Sequence, residues 1–146
     1  MSLLEQAKAF RTTFRQKILG NISEFGVIDQ DLWNMQAGLV KEEAAEFAEA
    51  VDECFADPEN VEVREALLKE LSDLVFVCYQ FAAAFGLDLD KAMTLVFESN
   101  MSKLDEQGNP IFREDGKVLK GPKYMPPHLL ECLPAVRLNF YDTYGK

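Results

Sequence analysis

Two long runs of helical periodicity, broken once at Asp57-Pro58, constrain this chain more than any other feature of its sequence. After Asp29, the residues Leu32, Met35, Leu39, Val40, Phe47, Ala50, Val51 and Phe55 recur at helical spacing and mark one apolar face. Asp29 or Asp31 can cap the start of this helix by accepting from free backbone N–H groups. Asn60 can cap the next helix, which runs to Phe85, and Gly86 can adopt the left-handed conformation that ends it. From Leu74 to Phe85 this helix is apolar on nearly every side apart from Gln80, so it is expected to run through the centre of a bundle. Two such helices joined by a short turn lie antiparallel.

The flanking segments add shorter elements. Leu3, Ala7, Phe10, Phe14 and Ile18 predict an N-terminal helix over 3–19, with Ser2 as its cap and Gly20 as its stop. Residues 21–28 read as a linker, and Asp88 caps a fourth helix through roughly Lys103. Beyond it, Gly108, Pro110, Gly116, Gly121, Pro122, Pro126, Pro127 and Pro134 rule out long helices. Ile111-Phe112-Arg113 and Lys117-Val118-Leu119 flank Glu114-Asp115-Gly116 and predict a small hairpin. The tail Phe140-Tyr141-Asp142-Thr143-Tyr144 is aromatic enough to be expected to pack. With 146 residues and 48% apolar composition, the chain has the size of one domain. The expected fold is an all-α bundle of about four to five helices. Its helical core is 1–104, with 1–20 as the N-terminal helix, and 105–146 form an irregular C-terminal extension of the same domain.

Charge and composition narrow the function. A formal net charge of −10, from 25 acidic and 15 basic residues, argues against binding nucleic acid through its phosphates. No apolar run is long enough to span a membrane, and the N-terminus lacks the pattern of a secretory signal, so a cytoplasmic protein is expected. Cys54, Cys78 and Cys132 contain no C-x-x-C pair and read as reduced structural thiols. His128 is the only histidine, which excludes a di-iron bundle built on two Glu-x-x-His motifs.

The acids themselves point to a metal. Glu42, Glu43, Glu46, Glu49, Asp52 and Glu53 crowd one helix with no base among them except Lys41 at the edge, while Glu70 and Asp73 stand where the next helix turns apolar. Glu46 and Glu70 each lie twelve residues from Pro58, and Glu43 and Asp73 each lie fifteen. In an antiparallel hairpin those four carboxylates are level, roughly 18 to 22 Å from the turn, between axes about 8 to 10 Å apart. Crowded carboxylates raise one another's pKa values and call for a cation. Oxygen-only ligands suit Mg²⁺, with Mn²⁺ as a substitute. The plainer reading is a solvated acidic face with Asp73 paired to Lys69 one turn earlier.

The paired motifs Glu43-x-x-Glu46 and Glu70-x-x-Asp73, followed by Asn100-Met101-Ser102-Lys103, resemble the signature of the all-α nucleoside triphosphate pyrophosphohydrolases. That superfamily includes MazG-like proteins, dimeric dUTPases and phosphoribosyl-ATP pyrophosphohydrolases. The resemblance covers roughly residues 30–104 and implies that Glu43, Glu46, Glu70 and Asp73 hold Mg²⁺. It further implies that the substrate, a nucleoside triphosphate, is cleaved to a nucleoside monophosphate and pyrophosphate. It also implies a homodimer or homotetramer. Glu46 or Glu42 is the candidate acceptor for the proton of the attacking water.

Candidate substrate contacts are Gln36, for a base edge or phosphate, together with Asn100, Lys103 and Lys120. Across 103–123, Lys103, Arg113, Lys117, Lys120 and Lys123 outnumber four acids, so this segment can lean over phosphates; the plainer reading is a solvated loop. Trp33 can stack on a base, though a lone helical tryptophan is more often core. Gly116 to Gly121 lacks the spacing of a P-loop, and Arg64 to Glu70 lacks the paired glutamates of a Nudix motif. Two other readings compete with nucleotide-pool house-cleaning: a phosphoribosyl-ATP pyrophosphohydrolase of histidine synthesis, and a non-catalytic helical oligomer that binds through its acidic face.

Overall fold

A computed structural model of the chain describes residues 1–135. They form four α-helices, α1 (Leu3–Thr13), α2 (Gln30–Ala56), α3 (Val61–Phe85) and α4 (Leu89–Met101), and a single 3-10 turn, Leu130–Cys132. The architecture is all-α, and the only β features among the described residues are isolated bridges. No single helix among these residues is long and apolar enough to cross a membrane. The aromatic tail 140–144 lies outside the described residues.

The chain divides into two compact units, each described by itself. One holds Met1–Leu87 and, of the described residues, Pro134 and Ala135; the other is Asp88–Leu133. By compactness α4 therefore groups with the irregular segment that follows it, whereas the texture of the sequence changes near 104.

In the first unit each helix starts where a side chain satisfies its free N–H groups. Ser2 and Glu5 form a reciprocal capping box on α1. Asp29, rather than Asp31, caps α2 by accepting from Leu32 N–H. The Asn60 side chain accepts from both Glu62 and Val63. Helix α3 is the central rod and packs against both α1 and α2. Its Val77, Tyr79, Ala82, Ala83, Ala84 and Phe85 are buried, with Leu4 and Ala7 from α1 and Ala50 from α2. Trp33 is half-buried and packs edge-on against Phe81 and Phe85, with ring centroids 5.1 and 5.2 Å away.

Gly86 ends α3 with φ +72°, and a Cβ there would collide with the backbone of Gly20. Leu19 N–H donates to Ala84 O beside it, which ties the linker to the end of α3.

Helix α1 ends six residues before its expected limit of 19. Arg15 takes φ +54°, and Gln16 N–H reaches back to Arg11 O at 2.8 Å. Arg11 itself is fully buried. Its Nε–H donates to Lys17 O and one Nη–H to Gln80 Oε1. The guanidinium thus gathers the chain that would otherwise have extended the helix. Phe14, expected to face inward, is 62% exposed in the single chain.

In the second unit Asp88 caps α4 by accepting from Lys91 N–H, and Lys91 pairs with Glu131 at 3.1 Å. The expected hairpin is present as a single antiparallel bridge between Phe112 and Val118. Arg113 N–H donates to Lys117 O and Leu119 N–H to Ile111 O around Gly116.

Candidate metal centre

The α2–α3 turn spans Asp57–Asn60, so the hairpin folds within half a residue of the centre that the acid spacing implies. Glu43 and Glu46 are one turn apart on α2, and Glu70 approaches from α3. One carboxylate oxygen from each lies within 4.8 Å of the others. Like charges this close repel, and the effect appears in Glu46. Its pKa is raised, first by the charge of Glu43, then by burial and by the hydrogen bond it shares with Glu43, and then by Glu70.

Two oxygens in the cluster, Glu43 Oε2 and Glu70 Oε2, are buried and accept no hydrogen bond. A buried carboxylate oxygen without a donor is costly, and a hard cation relieves that cost without any donor. The residues therefore fit a divalent metal, with an all-oxygen donor set.

Asp73, the fourth acid of the motif, stands outside this triad. Its Oδ2 is 2.7 Å from the ammonium group of Lys69, which also lies 3.2 Å from Glu70 Oε1. Both carboxylates raise the pKa of Lys69, Asp73 foremost. The spacing of the sequence offered Lys69 to Asp73, but it gave no sign that Lys69 also reaches Glu70. Glu42 is exposed on the neighbouring face of α2.

Gln36 lies seven residues before Glu43 and so on the same helical face. It is only 4% exposed, and its Oε1 has no hydrogen-bond partner. A cavity of about 640 Å³ lies in the linker, lined by Leu19, Asn21, Ile22, Phe25, Ile28 and Asp29 among others. Asp29 begins α2 fourteen residues before Glu43, about 21 Å along the helix, so this cavity is separate from the acids.

Asn100, Lys103 and Lys120 all belong to the second unit. Asn100 is exposed at the end of α4, and its carbonyl accepts from Lys103 N–H. Gly121 N–H donates to Lys103 O at 2.9 Å, which brings the chain at Lys120 back beside Lys103. Only glycine fits there, because a Cβ would strike the carbonyls of Lys103 and Leu104. The Lys120 ammonium sits 4.8 Å from the centroid of the Tyr124 ring. Ser99 Oγ–H donates to Met125 O, and Met125 N–H donates to Ser102 Oγ, so the same return segment is stitched to α4. The role of Gly121 in this stitch was hidden in the sequence, where it looked like one turn residue among several.

An antiparallel pair of long helices with clustered carboxylates between them defines an all-α protein built around a candidate divalent-cation site. The profile of one family, phosphoribosyl-ATP pyrophosphohydrolase, matches residues 8–100. The chain belongs to that family, and membership implies a pyrophosphohydrolase. The resemblance carried by the paired acidic motifs is thereby upheld at the level of the superfamily. No curated protein matches the chain.

Proposed function

We propose that the protein is a Mg²⁺-dependent nucleoside triphosphate pyrophosphohydrolase that releases a nucleoside monophosphate and pyrophosphate, in a nucleotide-pool house-cleaning role. The observation that carries this reading is the convergence of Glu43, Glu46 and Glu70 with two buried, unpartnered oxygens among them. Glu43, Glu46 and Glu70 would hold the metal, joined by Asp73 once it leaves Lys69. Bound Mg²⁺, for which Mn²⁺ can substitute, supplies charge neutralisation at the phosphates and lowers the pKa of a coordinated water.

Glu46 is favoured over Glu42 as acceptor of the water proton, because it lies inside the cluster whereas Glu42 is exposed on the neighbouring face of α2. The water oxygen attacks the α-phosphorus, the bond to the bridging oxygen breaks, and pyrophosphate leaves. Lys103, Lys120 and Asn100 are the residues proposed to contact the phosphates. Gln36 presents an acceptor oxygen. Its amide also carries two N–H donors, so it can serve a base edge or a phosphate.

The description of the matched family supports a second reading, a phosphoribosyl-ATP pyrophosphohydrolase of histidine synthesis. Pyrophosphate release from phosphoribosyl-ATP and from common and damaged nucleoside triphosphates, with and without Mg²⁺, separates the two. Turnover confined to phosphoribosyl-ATP would overturn house-cleaning, and no turnover on any substrate would leave the acidic face as a binding surface.

We also propose a homodimer or homotetramer. Phe55 and Leu68 on the α2–α3 hairpin are 88% and 65% exposed in the single chain, with Val51, Leu71, Val75 and Phe76 at 40 to 42%. Apolar surface of this extent on two adjacent helices suits burial against further helices.

A further inference from the structure

We propose that Lys69 is the resident counter-ion of the acidic cluster, and that a divalent cation binds by displacing its ammonium group from Asp73. The inference rests on the metal reading above. Lys69 Nζ occupies Asp73 Oδ2 at 2.7 Å and Glu70 Oε1 at 3.2 Å. The opposite oxygen of Glu70 remains buried and unpartnered, together with Glu43 Oε2. Lysine and metal therefore share the same carboxylates. Asp73 is the one acid of the paired motifs that lies outside the triad, and it is the one held most closely by Lys69.

A single ammonium charge cannot balance four carboxylates. It satisfies the two on its own helix and leaves the α2 side uncompensated. A dication between the helices reaches both sides, and it gains Asp73 only if Lys69 lets go. The lysine side chain is 64% exposed, so nothing encloses it and withdrawal into water is open to it. Strong hydration of an ammonium group makes that withdrawal cheap.

Two variants of the full chain test this without nucleotide, with Mn²⁺ binding followed by electron paramagnetic resonance. Lys69→Met removes the competing charge at an exposed position and keeps the apolar stem. Lys41→Met removes the same charge from an exposed position on α2 that makes no ion pair among the described residues. The expected result is Mn²⁺ binding about three- to fivefold tighter in Lys69→Met, the scale of one exposed ion pair, with a smaller change in Lys41→Met. In the wild-type protein, saturating Mg²⁺ should also move the NMR signal of the Lys69 ammonium group from a hydrogen-bonded to a freely hydrated position. Affinity in Lys69→Met no greater than in Lys41→Met, or a Lys69 signal indifferent to Mg²⁺, would overturn the inference, leaving a surface pair that persists beside the metal. Failure of all three proteins to bind Mn²⁺ would overturn the metal reading itself, and the inference with it.

Discussion

A carboxylate oxygen shut away from water needs a donor or a cation, and two such oxygens on neighbouring helices make the acidic cluster the candidate chemical centre of this protein. Removing one charge from it should cost catalysis more than stability. Glu46→Gln is expected to lower Mg²⁺-dependent turnover on the order of 100-fold or more while the circular dichroism spectrum stays native. Asp73→Asn should do the same, and unchanged activity in either would remove that residue from the site. The raised pKa of Glu46 sets the sign of a pH effect. A carboxylate titrating higher in the fold than in the unfolded chain adds stability below its unfolded pKa, and that contribution is lost as pH rises through the folded value. Mg²⁺ offsets the repulsion that causes the shift. Differential scanning calorimetry should therefore show Mg²⁺ raising Tm more at neutral than at mildly acidic pH, and an equal effect at both would contradict this. At this scale the sequence revealed the acids, because Glu-x-x-Glu and Glu-x-x-Asp spacing maps directly onto helical faces. It did not reveal how Lys69 divides itself between Glu70 and Asp73, since that depends on the rotamers of three side chains.

Helix ends are local events, and those fixed by neighbouring residues were legible: Ser2, Asp29, Asn60 and Asp88 all cap where their side chains suggested. The end of α1 was not. It depends on Arg11 meeting Gln80, 69 residues away in sequence, and no window of local periodicity contains that contact. Among the described residues the Arg11 guanidinium has no carboxylate partner, and burial draws its pKa down. Gly86 couples two elements, so its replacement tests both. Gly86→Ala must place a side chain at φ +72° and against the Gly20 backbone. A left-handed residue costs roughly 1–2 kcal/mol on its own, and the collision adds to it. The urea midpoint should fall by the equivalent of about 2 kcal/mol or more, and an unchanged midpoint would show that Gly20 and Gly86 do not approach as described. Asn60→Ala, by contrast, loses only a cap, and about 1 kcal/mol is expected.

For the molecule as a whole, the antiparallel hairpin was legible because a single Asp-Pro break separates two strong helical periods, and the small hairpin at Phe112–Val118 because Gly116 sits between two short runs that each pair apolar residues with one basic residue. Less legible was how little of the expected inward face one chain can cover. Met35, Val51 and Phe55 were placed inward by periodicity, yet they are 61%, 42% and 88% exposed. Helical period identifies which face is apolar, not whether the rest of the chain covers it. Light scattering after size exclusion should accordingly find a dimer or tetramer, and a lone 16.5 kDa species would refute the proposed assembly.

The reaction proposed for these carboxylates is cleavage of a polyphosphate between its α and β phosphorus atoms. Product analysis by ³¹P NMR during nucleoside triphosphate hydrolysis tests it most directly. Equimolar nucleoside monophosphate and pyrophosphate, formed with Mg²⁺ and absent in excess chelator, is the predicted result. Release of orthophosphate with nucleoside diphosphate, or turnover that persists in chelator, would contradict it.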